Sequence, residues 1–173
     1  MSLPEPLISS PEIAQRVAAL AHQIDTDLPP GPLTVVGVLR GAFVFMADLV
    51  RAISRPLTCD FLAVRSYGDS TVSSGVVEIT SDLGTPITDR HVLLVEDIVD
   101  TGLTLKYLLD VLGARGPAGL YTCALLSKPT RRQIDVKVDF VGFEVPDKFV
   151  VGYGMDASQL YRNLPYIGVT TAE

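Results

Sequence analysis

The sequence predicts an α/β fold in which a mostly parallel central sheet is flanked by helices on both faces. Short apolar runs with strand character alternate along the chain with helical segments, the pattern of right-handed crossover units. The chain has 173 residues, of which 47% are apolar, enough for one substantial core. Because the sequence has no internal repeat, low-complexity tract or long linker, we expect residues 1–173 to form a single domain.

The first predicted element is a helix that begins near Ser9. Ser9 and Glu12 have the spacing of a capping box, and Pro11 suits the first turn of a helix. Apolar residues then recur at helical spacing and form one stripe: Ile13, Val17, Leu20, Ala21 and Ile24. The prolines and glycine of residues 29–32 are expected to end this helix.

The rest of the chain continues the alternation of strands and helices. Helices are predicted over residues 42–53 and 102–112, and a turn at Arg40-Gly41 precedes the first of them. The predicted strands cover residues 33–39, 57–65, 76–80, 91–95, 120–127, 139–143 and 149–152. Residues 66–75 consist mostly of Ser, Thr, Gly and Asp, which is a loop composition.

Charge and composition exclude several classes of function. The formal net charge is −6, from 14 basic and 20 acidic residues, which argues against a broad nucleic-acid-binding surface. The N-terminus lacks signal-peptide features and no apolar run has membrane-spanning length, so we expect a cytoplasmic protein without a membrane partner. Cys59 and Cys123 are expected to be buried free thiols. His22 and His91 lack partners at the spacing of a zinc site or a catalytic triad.

The most informative segment is LLVEDIVDTGLTL, residues 93–105. An apolar strand leads into Glu96 and Asp97, Asp100 follows, and residues 101–104 begin a helix. Ligands of open α/β sheets bind beyond the carboxyl ends of the strands, where this segment is expected to lie. The amides of a helix start, a glycine and two threonine hydroxyls suit a phosphate group.

The acids of this segment conflict with a phosphate, because like charges repel. The conflict disappears if Glu96 and Asp97 accept hydrogen bonds from ribose hydroxyls or face a bound cation. A ligand with both a sugar and a phosphate therefore fits better than phosphate alone. The alternative is that the acids, Asp100 included, only cap a helix; three acids beside a Thr-Gly-Leu-Thr start favour the functional interpretation.

The same segment resembles the phosphoribosyl-pyrophosphate signature of the type I phosphoribosyltransferases. The resemblance covers nearly the whole chain and is closest to the hypoxanthine-guanine group. It includes a pyrophosphate loop at residues 39–49, a strand leading to a mobile lid at 60–67, and a purine-binding end at Lys128, 139–153 and Asp156. Arg40 and Leu103 stand where several relatives have lysine, so phosphate binding would depend on amides and threonine hydroxyls.

The resemblance implies a type I phosphoribosyltransferase fold with a small hood from the chain termini. It implies purine salvage: the 5-phosphoribosyl group of 5-phosphoribosyl-1-pyrophosphate is transferred to hypoxanthine or guanine, which gives IMP or GMP and pyrophosphate. It also implies Mg²⁺ as cofactor and a homodimer or homotetramer. Apart from further copies of the chain, the expected partners are the small-molecule substrates, and no nucleic acid is expected to bind.

The resemblance also assigns a role to each site residue. Asp100 would be the general base for the purine N7 proton. The ribose and phosphate would be bound by Glu96, Asp97, Asp100, Thr101, Gly102, Leu103 and Thr104. Pyrophosphate would be bound by Arg40, Gly41, Ser66, Tyr67 and Arg162. The purine would be bound by Lys128, Phe149, Val150 and Asp156, and the metal by Glu96, Asp97 and Asp156. A cis peptide bond at Leu39-Arg40 and a lid at residues 66–75 complete these expectations; the alternative for residues 66–75 is a plain exposed hairpin.

Three alternatives to this interpretation make different demands on the sequence. A xanthine-preferring transferase on the same fold would differ only in how the purine 2-position is recognised, and it stays open. An RNA-binding regulator on the same fold should present a basic face, which the net charge of −6 and the purine-type stretch 143–153 disfavour. A dinucleotide-binding or P-loop protein would need glycine motifs that the sequence lacks.

Overall fold

The computed structural model describes residues 3–67 and 76–170, except for the side chains of Ser66, Tyr67 and Val76. The strands are β1 Glu5–Ile8, β2 Leu33–Leu39, β3 Leu57–Tyr67, β4 Val76–Ser81, β5 His91–Val99, β6 Gly119–Ser127, β7 Phe140–Glu144, β8 Val150–Val151 and β9 Ile167–Val169. The helices are α1 Ser10–Asp27, α2 Phe43–Ala52 and α3 Leu103–Gly113, and a single 3-10 turn spans Pro129–Arg131.

The main sheet has six strands in the order β4-β3-β2-β5-β6-β7. The neighbouring strands are parallel except for β3 and β4, which form an antiparallel pair. Strand β2 lies inside this sheet, and its residues 33–38 are all buried, as expected of a strand covered on both faces. The carboxyl ends of the five parallel strands therefore meet at one edge.

Helices cover both faces of the main sheet and create two apolar clusters. Successive residues of β2 alternate between them: Val35 packs with α1 and α2, whereas Val36 packs with α3. The predicted stripe of α1 is confirmed, because the same five residues are buried. Glu12 accepts hydrogen bonds from the amide and hydroxyl of Ser9 at 2.8 and 2.5 Å, as the predicted helix start requires.

A second, three-stranded antiparallel sheet has the order β1-β9-β8. It joins segments near the two ends of the described chain, which confirms the expected hood. Strands β1 and β9 were not predicted as strands, because they have only four and three residues. Ile8, Val150 and Ile167 of this sheet belong to the same apolar cluster as α1 and α2. The small sheet therefore shares the core of the main sheet.

Two sequence-based expectations need correction. Both cysteines are free thiols, but only Cys123 is buried; Cys59 is exposed because it lies on β3, near the edge of the main sheet. The strand predicted at 91–95 continues to Val99, so Glu96 and Asp97 lie within β5 and not in the loop after it. Among the helices described, none is long and apolar enough to cross a membrane.

Candidate active site

A cavity of about 270 Å³ opens at the carboxyl ends of the parallel strands. Its walls come from the end of β2, from β3 and from residues 96–105. Eight of the predicted site residues line it: Arg40, Gly41, Glu96, Asp97, Asp100, Thr101, Gly102 and Thr104. The position agrees with the expectation for ligands of open α/β sheets.

Glu96 and Asp97 bring two carboxyl groups into a buried environment at the end of β5. Burial raises the pKa of Glu96 well above its ordinary value, and the neighbouring Asp97 raises it further. Burial also raises the pKa of Asp97; hydrogen bonding to the Ile98 amide and the charge of Arg162 oppose this increase, and Asp156 adds to it. These carboxyl groups therefore carry their negative charge at a cost that a bound cation would relieve.

The loop after β5 ends in a left-handed residue that starts α3. Gly102 has φ +88°, and a Cβ there would lie 2.8 Å from Val136 Cγ1, so a side chain at this position would be strained and crowded. Leu103 begins the helix, and its amide donates to the Thr101 hydroxyl at 3.4 Å. The first turn of a helix leaves amide groups without helical partners, so this helix start offers donors of the kind that suit a phosphate.

Gly41 is required by the close approach of β5. A Cβ on Gly41 would overlap the Asp97 carboxylate, and one on Gly154 would overlap the Gly41 carbonyl oxygen. The preceding peptide bond, Leu39–Arg40, is cis, as the resemblance implies. These contacts fix Arg40 and Asp97 beside the segment that follows β8.

Arg40 and Arg162 converge on one amide group. Arg40 Nη1 and Arg162 Nη2 each donate to Gln159 Oε1 at 3.2 Å. Arg162 also forms an ion pair with Asp156 at 2.6 Å. The Asp156 carboxylate accepts a hydrogen bond from the backbone amide of Gln159 at 2.7 Å. Two guanidinium groups so arranged can donate to several oxygens of one polyanion. Sequence reasoning missed Gln159, a loop residue without a periodic or motif signal.

Lys128 and Asp100 are joined by a chain of charged side chains. Lys128 Nζ lies 3.8 Å from Asp147 Oδ1, and only 9% of the lysine side chain is exposed. Arg131 connects Asp147 to Asp100: its Nη1 donates to Asp147 at 3.5 Å and its Nε donates to Asp100 Oδ1 at 2.8 Å. Arg131 was also missed from the sequence, since surface charges usually form no site, and Asp147 was predicted only as part of the stretch 139–153, without a role of its own.

The helix-cap alternative for Asp100 is wrong, because the residue that precedes α3 is Gly102 and Asp100 pairs with Arg131. Phe149 is 44% exposed and free to contact a ligand, and Val150 begins the buried strand β8. The expected contacts of Ser66 and Tyr67, and the lid at 66–75, involve side chains and residues outside the described structure. Leu103 is half-buried and does not line the cavity.

The oxygen donors of the site fit a hard divalent cation such as Mg²⁺. Asp97 raises the pKa of Glu96, and Asp156 raises that of Asp97, so three carboxyl groups influence one another here. Within residues 3–67 and 76–170, no group of three or more Asp, Glu, His or Cys side chains has the arrangement of a complete metal site. Mg²⁺ usually keeps several waters and shares oxygens with its phosphate substrate, so an incomplete set of protein ligands suits it.

Comparison with known proteins agrees with this geometry. Residues 7–158 match the family model described as a phosphoribosyl transferase domain. The chain is 50% identical to the hypoxanthine-guanine phosphoribosyltransferase of Bacillus subtilis, covering 94% of this chain and 91% of that protein. It is 48% identical to the hypoxanthine phosphoribosyltransferase of Haemophilus influenzae, covering 96% and 95% respectively. The crystal structure of a Bacillus anthracis hypoxanthine-guanine phosphoribosyltransferase superimposes with a TM-score of 0.94 at 42% identity, over 98% of this chain and all of that one. The chain belongs to the phosphoribosyltransferase family, within its hypoxanthine-guanine group.

Proposed function

We propose that this enzyme transfers the 5-phosphoribosyl group from 5-phosphoribosyl-1-pyrophosphate to hypoxanthine or guanine and serves purine salvage. The observation that carries the proposal is the cavity at the carboxyl end of β5, which combines buried acids with a phosphate-binding helix start. Such a cavity suits a ligand that has both sugar hydroxyls and a phosphate. The names of the curated relatives support the same reaction.

In the proposed reaction, the purine N9 forms a bond to ribose C1 while the C1–O bond to pyrophosphate breaks. Asp100 accepts the N7 proton, so the electrons of that N–H bond return to the purine ring. Residues 101–104 bind the 5-phosphate through amides and hydroxyls, and the carboxylates of β5 accept hydrogen bonds from the ribose hydroxyls. Proton transfer by a positioned group is typically worth about 10²–10⁴ in rate.

The leaving pyrophosphate is proposed to lie between Arg40 and Arg162, with the Gly41 amide and the lid residues Ser66 and Tyr67 as further donors. Support comes from the convergence of both guanidinium groups on Gln159, which marks a position where several donors meet. Mg²⁺, when bound to Glu96, Asp97 or Asp156, neutralises part of the pyrophosphate charge. A closed lid at residues 66–75 would exclude water from the activated sugar.

The purine is proposed to bind between Phe149 and the Lys128 ammonium group. Phe149 would stack on the ring, Val150 would contact its edge through backbone atoms, and Asp156 would lie near the same end. The Lys128 ammonium has three donors and no acceptor, so it suits the O6 carbonyl of hypoxanthine or guanine and opposes the amino group of adenine. Its burial supports this role over that of a solvated surface lysine.

We further propose a cytoplasmic homodimer or homotetramer. The two cysteines are free thiols, as is usual in a reducing compartment. Phe43 and Phe61 are exposed by 45% and 42%. Met46, one turn after Phe43 on α2, and Phe61 both lie next to Gly37. An apolar surface of this kind suits contact with a second copy. Sedimentation velocity of the wild type and of Phe61→Asp tests it; a wild-type monomer would contradict the proposal.

A base-panel assay tests the proposed reaction. Hypoxanthine, guanine, xanthine and adenine are each supplied with 5-phosphoribosyl-1-pyrophosphate, and nucleotide formation is followed with Mg²⁺ and after complete chelation. We expect turnover with hypoxanthine or guanine and none without a divalent cation. Equal efficiency with adenine would contradict the proposed purine site, whereas full turnover after chelation would contradict only the role of the metal.

A further inference from the structure

Arg131 occupies a position between the two groups proposed to act on the purine. Its Nε donates to Asp100 Oδ1 at 2.8 Å, and its Nη1 lies 3.5 Å from Asp147 Oδ2. The other oxygen of Asp147 lies 3.8 Å from Lys128 Nζ. The four side chains thus form a row in which cations and carboxylates alternate.

The backbone holds Arg131 firmly against the loop that carries Asp100. The Lys128 amide donates to the Val99 carbonyl at 3.0 Å, and the Gln133 amide donates to the Thr101 carbonyl at 3.0 Å. Between these two contacts the chain makes the 3-10 turn, closed by the Arg131 amide and the Lys128 carbonyl at 3.1 Å. Each side of Asp100 in sequence is therefore joined to a residue close to Arg131.

We propose that Arg131 is a positioning residue that sets the Asp100 carboxylate relative to the Lys128 ammonium, so that both meet one purine. The inference rests on the proposed function, in which Asp100 takes the N7 proton and Lys128 donates to O6. These atoms lie on the same side of the purine ring, so the two protein groups must keep a fixed separation. The bridge through Arg131 and Asp147 fixes it.

The geometry leaves the working oxygen of Asp100 available. Arg131 occupies Oδ1, and among the described side chains and amides no hydrogen bond engages Oδ2. The purine proton can therefore pass to Oδ2 without breaking the contact with Arg131. When Asp100 becomes neutral, the guanidinium still faces the charge of Asp147, so protonation does not leave an unpaired cation. A base oriented by a third group in this way is a common catalytic arrangement.

The test is a set of double-mutant cycles on the full-length enzyme with hypoxanthine as substrate. Arg131→Met removes the positioning group, Arg131→Lys keeps its charge, Asp147→Asn weakens the second contact, and Asp100→Asn removes the base. Arg115→Met is the control, because Arg115 pairs with Asp82 at 2.8 Å with comparable exposure but outside the site. Measured quantities are kcat, both KM values and the folded fraction of each variant.

We expect Arg131→Met to lower kcat by about 10-fold or more, with KM for 5-phosphoribosyl-1-pyrophosphate changed by less than about 3-fold. Arg131→Lys should lower kcat less than Arg131→Met does, and Arg115→Met should have the kcat of the wild type. In the Asp100→Asn background, Arg131→Met should lower kcat no further, because the group that it positions is gone.

Equal losses of kcat from Arg131→Met in both backgrounds would overturn the inference, since they would indicate a general structural effect. Unchanged kcat in Arg131→Met would also overturn it. If Arg131→Met does not fold, Asp147→Asn provides the same comparison. We expect Asp147→Asn to lower kcat less than Arg131→Met would, and to lower it only when Asp100 is present. If Asp100→Asn alone turns over like the wild type, Asp100 is not the base and the proposed function is contradicted. This outcome is distinct from a failure of the inference about Arg131, because Arg131 is unchanged in that variant.

Discussion

At the scale of single residues, Glu96 shows how the site lowers the stability of the folded protein when no cation is bound. Its pKa is raised by burial and by Asp97, so the folded state holds its proton to a higher pH than the unfolded chain does. Stability from this group is complete below the ordinary carboxyl pKa and is lost as the pH rises toward the folded value. Ionisation of the buried Glu96 carboxyl group therefore destabilises the folded enzyme when no cation is bound.

We expect the chelated wild type to lose stability as the pH rises above the ordinary carboxyl pKa, and Glu96→Gln to lose less, because burial raises the pKa of Glu96. The difference in unfolding free energy between wild type and Glu96→Gln should therefore change steadily with rising pH, to the disadvantage of the wild type. Thermal unfolding at several pH values measures it, with the exposed Glu5→Gln as the matched control. Parallel curves for wild type and Glu96→Gln would contradict the expectation.

Lys128 is the residue expected to separate oxopurines from adenine. Stacking on Phe149 gives little selectivity, because all purines present a similar face, whereas a buried ammonium facing an amino group leaves a donor unpaired. Discrimination of this polar kind reaches about 10⁴–10⁵. We expect Lys128→Ala to lose most activity on hypoxanthine and Lys128→Gln, which has a donor and an acceptor, to narrow the gap to adenine. The ratio of the kcat/KM values for hypoxanthine and adenine checks this, with exposed Lys137→Gln as control. An unchanged ratio would assign recognition to another group.

At the scale of elements, Arg55 joins the end of α1 to the start of β3. Its side chain is 12% exposed and donates to the Asp25 carboxylate at 3.2 Å and to the carbonyls of Asp25 and Pro29 at 2.8 and 2.6 Å. The last carbonyls of a helix lack helical partners, and a cation there also favours the helix dipole. One side chain thus completes the end of α1.

We expect Arg55→Met to lower the unfolding free energy by about 2–3 kcal/mol while kcat changes little. The activity should persist because Arg55 lies at the amino ends of the parallel strands, opposite the cavity. Arg51→Met is the matched control, since the Arg51 side chain is 76% exposed and contacts Asp48 and the Ala47 carbonyl. Urea unfolding measures both variants. Equal midpoints for the two would show that the contacts of Arg55 add nothing to stability.

The elements also show why part of the molecule was predictable from the sequence. The stripe of α1 and the buried strand β2 were predicted because periodic burial leaves a pattern in the residues. The extension of β5 through Glu96 and Asp97 was not, because backbone pairing with β6 ignores side-chain polarity. The residues Arg131, Asp147 and Gln159 reach the site through contacts between distant loops, which no local pattern records.

At the scale of the whole molecule, the small sheet shares one of the two apolar clusters of the main sheet. Ile8, Val150 and Ile167 from three strands of the small sheet pack in the cluster that includes α1 and α2. A three-stranded sheet without its own core has little stability alone. The purine site proposed at β8 therefore depends on the same packing that stabilises the chain.

This shared core predicts one cooperative unfolding transition, consistent with a single domain. Far-UV and near-UV signals should change together, and the calorimetric and van't Hoff enthalpies should agree at fixed protein concentration. Ile167→Ala removes a fully buried side chain of β9 and should lower the unfolding free energy by about 2–4 kcal/mol for the whole molecule, without a separate early transition. Val169→Ala, at a half-buried position of the same strand, should cost less. An Ile167→Ala protein whose small sheet melts first, while the main sheet keeps the wild-type midpoint, would show that the two sheets are separate folding units. The proposed contacts of Phe149 and Val150 with the purine would then require the ligand to order them.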